Sequence, residues 1–276
     1  MQVLPRSLKD LNPVSSDDIS GNQFFKLVSL GLTIQETDNE LMKRKSIEEA
    51  KVAAIKQLAV SSIMLLIQIA IYFLSAGYVE VRPWVFFAAS FVHYAVSIGA
   101  QYKLNPELLA ARLVMKRKGS KTWDEILMRT SNLVVLIVLP VVAGLDIGRF
   151  GWSSLDAAFM IPGFVLFGFS TLVLNWAMAA NPFFEPTVRI QTDRGHKVVT
   201  IGPYGFVRHP GYLAGLLYVF SFPLIVGSVF AFVAAGIYTV LIMSRISLED
   251  RTLCRELAGY AEYSKGVRYK LLPWLW

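Results

Sequence analysis

Only one cysteine, Cys254, and three histidines occur among the 276 residues. A disulfide within the chain is thereby excluded, and so is a zinc site built on cysteines. The histidines His93, His196 and His209 are scattered through the sequence, and no metal site is expected. Charge is scarce as well. Asp, Glu, Lys and Arg make up 17% of the chain against 54% hydrophobic residues, with a mean hydropathy of +0.49. A soluble domain carries about a quarter charged residues. No strand leads into a G-x-G loop, so a soluble Rossmann fold is not supported. No basic stripe with stacking aromatics suggests an open sheet for nucleic acid, and no nucleic-acid partner is expected. The start of the chain does not pair a short basic patch with an apolar core, and a cleavable signal peptide is not expected. Neither an internal repeat nor a low-complexity segment is present.

What is present is a series of long apolar runs, the mark of membrane spans. Residues 1–57 form a polar segment, expected to be cytosolic. Asn12-Pro13 and the Ser15–Asp18 cluster read as loop. Residues 36–57 read as an amphipathic helix leading to the membrane. Spans are expected over residues 58–74, 84–100, 133–145 and 155–179. A basic cytosolic loop is expected over 101–130. The next apolar stretch, 212–243, would reach roughly 50 Å as one helix, against a hydrocarbon core of ~30 Å. Pro223 and Gly227 near its middle predict a break into a helical hairpin, 211–244. The fold class is therefore all-α: a polytopic integral membrane bundle of about six spans. Residues 58–180 are expected to form its first four spans, and 181–276 a functional region made of a loop, the hairpin and a cytosolic C-terminal segment.

The net charge of +7 fits this reading. Lys43, Arg44, Lys45, Lys51 and Lys56 precede the first span, and Lys103, Arg112, Lys116, Arg117, Lys118 and Lys121 follow the second. Arg189, Arg194, Lys197 and Arg208 precede the hairpin, and Arg245, Arg251, Arg255, Lys265, Arg268 and Lys270 follow it. The remaining short loops hold only Arg82 and Arg149. Six crossings put every basic segment on one side, with both termini cytoplasmic by the positive-inside rule.

The hairpin brings two polar segments together at the membrane face. Arg208 and His209 lie just before it, and Glu249 and Asp250 just after it. A cation pair thus faces a carboxylate pair. A structural ion pair flanked by interfacial aromatics is the competing reading of that arrangement. His93 within the second span is read as a packing residue or, being ionisable there, a site candidate.

The order of residues adds a further signal. His196 to Tyr204, then Arg208-His209-Pro210-Gly211-Tyr212 and Gly215, resemble the isoprenylcysteine carboxyl methyltransferase family. Glu249-Asp250, Leu253, Tyr260, Tyr263, Val267 to Tyr269 and Leu272-Pro273 resemble its C-terminal pattern. Asn105 to Ala110 and Lys121 to Asp124 look like its bacterial branch, which is related to membrane phospholipid methyltransferases. The resemblance runs over roughly residues 100–276 and implies a helical membrane enzyme that methylates with S-adenosylmethionine. It further implies a cytosolic cofactor pocket and a tunnel for a lipophilic acceptor. Carried over residue by residue, the cofactor site would comprise His196, Lys197, Val198, Val199, Gly202, Tyr204, Arg208, His209, Pro210, Tyr212 and Glu249. Arg208, Glu249 and His209 would be catalytic, with Glu249 favoured over Asp250.

These residue types suit that cofactor. An arginine forks onto a carboxylate. Glu249 can accept from an ammonium or a ribose hydroxyl, and Gly202 permits close backbone approach. Tyr204 and Tyr212 offer ring faces to a sulfonium. The helix opened by Pro210 presents free N–H groups. A carboxylate acceptor would need no general base; for a thiol or amine, His209 is the nearest candidate. The function expected is methylation of a lipophilic acceptor, foremost the carboxylate of a prenylcysteine-like molecule. The alternatives are N-methylation of a phospholipid amine or another small acceptor, an NADPH-dependent membrane reductase, and a non-enzymatic membrane scaffold.

Overall fold

The computed structural model describes residues 21–113, 119–274 and 276. Among these residues the regular structure is helical throughout, with no strand. The chain divides into two units, residues 1–48 and 49–276. In the first, residues 21–48 are helical; the loop expected around Asn12-Pro13 lies outside the described residues. The membrane helices and the candidate site belong to the second.

Helix α1 is continuous over Gly21–Ala76, so the boundary expected near residue 57 is not a break in the helix. Nothing in the sequence stops it, because neither proline nor glycine occurs between Gly31 and Gly77. It ends where Gly77 takes φ 79° and its N–H returns to the Phe73 carbonyl at 3.0 Å. Helix α2 follows over Val81–Leu104. The segment 101–130, expected as a basic loop, is largely helical instead. Pro106 opens the short α3, Pro106–Arg112, from the first-turn position that proline favours. Helix α4, Thr122–Leu133, runs directly into the third apolar rod.

That rod extends over Thr122–Phe150, well beyond the 133–145 expected. It widens to π-helical turns at Val134–Val138 and Gly144–Phe150, on either side of α5, Leu139–Ala143. Pro140 removes a backbone donor there, which explains the wider turns before it. Gly144 and Gly148 let the rod approach the end of α1 closely. A Cβ on Gly148 would lie 2.4 Å from the Ala76 Cα. This is small-residue packing of the kind membrane helices use.

Helix α6, Met160–Ala180, packs most extensively on α7, Pro210–Val226. A Cβ on Gly163 would meet Ile225 Cγ1 at 2.7 Å. The hairpin is present, but Pro223 sits inside α7 rather than at its break. The turn falls at Gly227, with φ 97°, whose N–H reaches the Pro223 carbonyl at 2.8 Å. Helix α8 then returns over Ala231–Glu256, and α9 covers Tyr260–Gly266. Asp146 holds the turn by accepting from Ser228 Oγ at 2.6 Å and from the Phe230 N–H at 3.3 Å.

The core joins Tyr72, Phe86, Phe87, Leu139, Phe167, Phe222 and Ile225. Outward, the helices are apolar too: Leu66, Leu172 and Val240 are 63–67% exposed. Water would penalise that surface, and hydrocarbon does not. Five described helices are long and apolar enough to cross a membrane: Ile47–Ala76, Val81–Leu104, Thr122–Phe150, Ala157–Ala180 and Ala231–Glu256. Pro210–Val226 is apolar and shorter, at 17 residues. The chain is an integral membrane protein of helical-bundle architecture.

Candidate active site

At one end of the bundle, residues 181–209 carry no long helix and must satisfy their polar groups by other means. Asp124, fully buried on α4, supplies the first anchor. One oxygen accepts the Val188 N–H at 2.7 Å and the other accepts Arg245 Nε at 2.6 Å. Arg245 Nη2 donates to the Pro186 carbonyl at 2.6 Å. Arg189 lies between Glu185 and Asp193, at 2.8 and 2.6 Å. Gln191 donates through its side chain to the Phe183 carbonyl at 2.7 Å, and its N–H meets His196 Nδ1 at 3.3 Å. His196 is therefore an acceptor at Nδ1. Burial, reinforced by the Arg189 charge, holds its pKa below the ordinary value and keeps the ring neutral.

The second anchor is Asp250. It receives Arg208 in a fork, Nε to Oδ1 and Nη2 to Oδ2, both at 2.9 Å. Oδ1 also takes Tyr260 Oη at 2.9 Å and lies 3.3 Å from His209 Nε2. Arg208 Nη1 donates to the carbonyls of Val267 at 2.7 Å and Arg268 at 2.9 Å. Burial alone would lower the Arg208 pKa, but the bonds and charge of Asp250 outweigh it and raise it. The backbone adds two rungs, with the Arg208 N–H on Tyr269 O and the His209 N–H on Lys270 O. The C-terminal strap is thus tied to the entry of α7. The phenols above it are kept protonated: burial raises Tyr204 and Tyr260, and pushes Tyr263 up to about 12.

These anchors frame a cavity of about 650 Å³. His196, Lys197, Val198, Val199, Tyr204, Arg208, His209, Pro210, Tyr212 and Glu249 all line it. Gly202 does not. Its φ of 61° and its closeness to Trp176 Nε1, 3.0 Å from a built Cβ, give it a role in the turn. Arg208 lines the cavity with its fork already engaged by Asp250, rather than free for a ligand carboxylate. Glu249 is the open carboxylate. It accepts from Tyr212 Oη, and the Tyr212 ring lies 5.3 Å from the Arg245 guanidinium. His93 does not line the cavity; its Nδ1 pairs with Thr171 Oγ1 at 2.8 Å inside the bundle.

Several lining residues have no counterpart in the sequence reading. Gln57, Val60 and Ser61 come from α1, Arg112 from α3, Met128 and Asn132 from α4, and Leu174 from α6. Two of these side chains carry buried atoms without a partner, Gln57 Oε1 and Arg112 Nε. Charged and aromatic groups from the 181–212 and 245–263 segments supply much of the cavity lining. Val60, Met128 and Leu174 add apolar side chains to it.

A helical membrane bundle with such a cavity, lined by cations, phenols and one open carboxylate, has the construction of a membrane-embedded enzyme. Residues 162–255 match the model of the Isoprenylcysteine carboxyl methyltransferase (ICMT) family. No curated protein matches the sequence. The matched segment contains the cavity residues from His196 to Tyr212 and Glu249, and leaves out Gln57, Arg112, Asp124, Tyr260 and Tyr263. That match points to the membrane methyltransferases as a class.

Proposed function

We propose that the protein transfers a methyl group from S-adenosylmethionine to the carboxylate of a lipophilic, prenylcysteine-like acceptor. One observation carries the reading: the segment that matches the family also supplies most of the residues that line the cavity. The residues present fit the cofactor. Tyr204, Tyr212, Tyr260 and Tyr263 offer ring faces, Val198, Val199, Leu253 and Leu257 offer apolar contact, and Glu249 and Gln57 Oε1 offer acceptors. When bound, that cofactor supplies an electrophilic methyl group.

The chain's own part is positioning and exclusion of water. In-line displacement gains most from alignment, and a carboxylate acceptor needs no base. Asp250 holds His209 Nε2 and Arg208 at the entry of α7, which fixes the wall on that side. Tyr212 and Glu249 hold each other across the hairpin. Arg245, turned over Tyr212, places a fixed positive charge beside the cavity. Val60, Met128 and Leu174 provide an apolar wall suited to a lipid-like tail.

Calorimetry on the detergent-purified protein tests the reading. S-adenosylmethionine should bind, NADPH should not, and transfer of labelled methyl to a prenylcysteine acid should exceed transfer to phosphatidylethanolamine. Binding of NADPH in place of S-adenosylmethionine would overturn it.

The same reading sets the topology. Helix α7 is ~25 Å long at 1.5 Å per residue and makes a sixth, slightly short crossing paired with α8. Both termini and the cavity then face the cytoplasm, on the side of the basic segments. With Cys254 replaced by serine, a cysteine at Glu262 should label from the cytoplasm and one at Val229 from the opposite side. Both positions are exposed for labelling. Labelling of both from one side would remove the six-crossing arrangement.

A further inference from the structure

Four guanidinium groups line the cavity, and three of them have carboxylate partners. Arg189 pairs with Glu185 and Asp193, Arg208 with Asp250, and Arg245 with Asp124. Arg112 differs. Among the described residues it pairs with no carboxylate. Its one hydrogen bond runs from Nη1 to the Phe184 carbonyl at 3.0 Å, and its Nε is buried without a partner. The guanidinium lies 5.3 Å from the centre of the Phe184 ring. Burial pushes its pKa down to about 10, so at neutral pH it remains a charged group in a poorly solvated place. An enclosed charge without a counter-ion is costly, and the cost is relieved when an anion arrives.

The location of Arg112 sharpens the point. A Cβ on Gly211 would meet Phe184 Cζ at 2.4 Å, so the phenyl ring beside the Arg112 guanidinium also packs against the start of α7. Leu109 of α3 shares an apolar cluster with Ala53 of α1 and Ile98 of α2, and Leu58 packs against that cluster. Gln57, next to Leu58, lines the same cavity with an orphaned acceptor, Oε1. A donor without an acceptor and an acceptor without a donor thus share one cavity. Together they match a carboxylate that carries an N–H group on the neighbouring carbon.

We propose that Arg112 is the carboxylate anchor of the cavity, with Gln57 receiving the adjacent amine or amide N–H of the same ligand. This rests on the methyl-transfer reading above and extends the site to residues outside the segment that matches the family. Two molecules in that reading carry the required group, the acceptor and the amino-acid end of the cofactor. The apolar side chains Val60, Met128 and Leu174 in the wall of the same cavity favour the acceptor. A fork on one carboxylate oxygen pair would hold the acid against Phe184, close to the groups at the entry of α7.

The test is calorimetric, on full-length protein in detergent, with four probes. They are an N-acetyl-S-prenylcysteine acid, its primary amide, S-adenosylhomocysteine, and decarboxylated S-adenosylhomocysteine. Wild type should prefer one acid over its neutral counterpart by about 10- to 100-fold, the scale of a charge-assisted fork left unmade. Arg112→Gln should abolish that preference and leave affinity for the neutral counterpart within about 3-fold. Arg112→Lys should keep only part of it, because an ammonium lacks the fork. Loss of preference in the first pair identifies the acceptor, and in the second pair the cofactor. If Arg112→Gln keeps both preferences, or weakens acid and neutral probes alike, Arg112 only supports the Phe184 loop and the proposal fails. Should Arg112→Gln not fold, undiminished preference in Arg112→Lys together with Gln57→Leu overturns it. Wild-type protein that binds none of the probes sinks the methyl-transfer reading itself, and this proposal with it.

Discussion

The Arg208 guanidinium and the Asp250 carboxylate meet fork to fork, with both contacts at 2.9 Å. The pair closes a ring of structure: the entry of α7, the C-terminal end of α8, and the strap of residues 264–270 whose carbonyls take Arg208 Nη1. Asp250 is the hub, since Tyr260 and His209 share its Oδ1. Its neighbour Glu249 points to the cavity and to Tyr212. Adjacent carboxylates on one helix thus divide the work, one holding the fold and one facing the ligand space.

The first prediction follows from that hub. Asp250→Asn leaves the Arg208 charge enclosed and unpaired, and breaking a buried pair costs ~3–5 kcal/mol. Arg208→Lys should recover little, because Lys lacks the two-pronged geometry. Thermal unfolding of both variants without any ligand should show a large loss of Tm. An Asp250→Asn protein as stable as wild type would show that the strap is held by other contacts.

Part of this was legible in the sequence and part was not, for identifiable reasons. The hairpin was visible because Gly227 interrupts an apolar run too long for one crossing, although Pro223 proved to be helix interior. Near residue 57 the composition changes while the helix runs on, because no helix breaker lies there. The 101–130 segment looked like loop because its charges are dense, yet it holds α3 and the start of α4. Cavity residues from His196 to Tyr212 cluster in the chain and could be read as a block. Asp124 with Arg245 could not, being 121 positions apart on elements whose local patterns say nothing of each other. Arg112 was hidden in a basic run, where one more arginine carries no signal. That it pairs with no acid among the described residues is visible only once the helices are packed.

Gly202 supplies the second prediction. Sequence resemblance puts it against the cofactor, whereas its geometry puts it under Trp176 and Ala180. Its φ of 61° is strained for any residue with a Cβ, at a cost of ~1–2 kcal/mol, and the new methyl would crowd Trp176 at 3.0 Å. Gly202→Ala should lower Tm while the folded protein binds S-adenosylhomocysteine with wild-type affinity. A stable variant with weakened binding would return Gly202 to the ligand wall.

The third concerns acid sensitivity. His196 has its pKa lowered in the fold, by burial first and by the Arg189 charge second. The unfolded imidazole titrates near ~6.5, so the unfolded chain binds the proton more readily than the folded one. The stability contributed by neutral His196 is complete above that value and drains away as pH falls towards the lowered folded pKa. Asn at this position can still accept from the Gln191 N–H and does not titrate. Between about pH 7.5 and about pH 5.5, wild type should lose more Tm than His196→Asn. Equal losses would mean that His196 gains its proton in the fold as easily as in the unfolded chain.

The last prediction separates Glu249 from its neighbour. Glu249 is bonded to Tyr212 Oη and has no arginine fork of its own among the described residues. Glu249→Gln keeps an oxygen that can accept from the phenol, and removes only the charge. Apo stability should therefore change little, in contrast to Asp250→Asn. Ligand-induced stabilisation should respond differently. A cofactor at ~100 times its dissociation constant adds ~2.7 kcal/mol to the wild-type fold, and a variant that has lost a charged acceptor for an ammonium or ribose should forfeit most of it. The measurement is a set of thermal shifts with and without S-adenosylmethionine on wild type, Glu249→Gln and Asp250→Asn. A Glu249→Gln protein that is destabilised alone yet keeps the full ligand shift would make Glu249 a structural group. The cavity would then owe its affinity to the tyrosines and the loop that surround it.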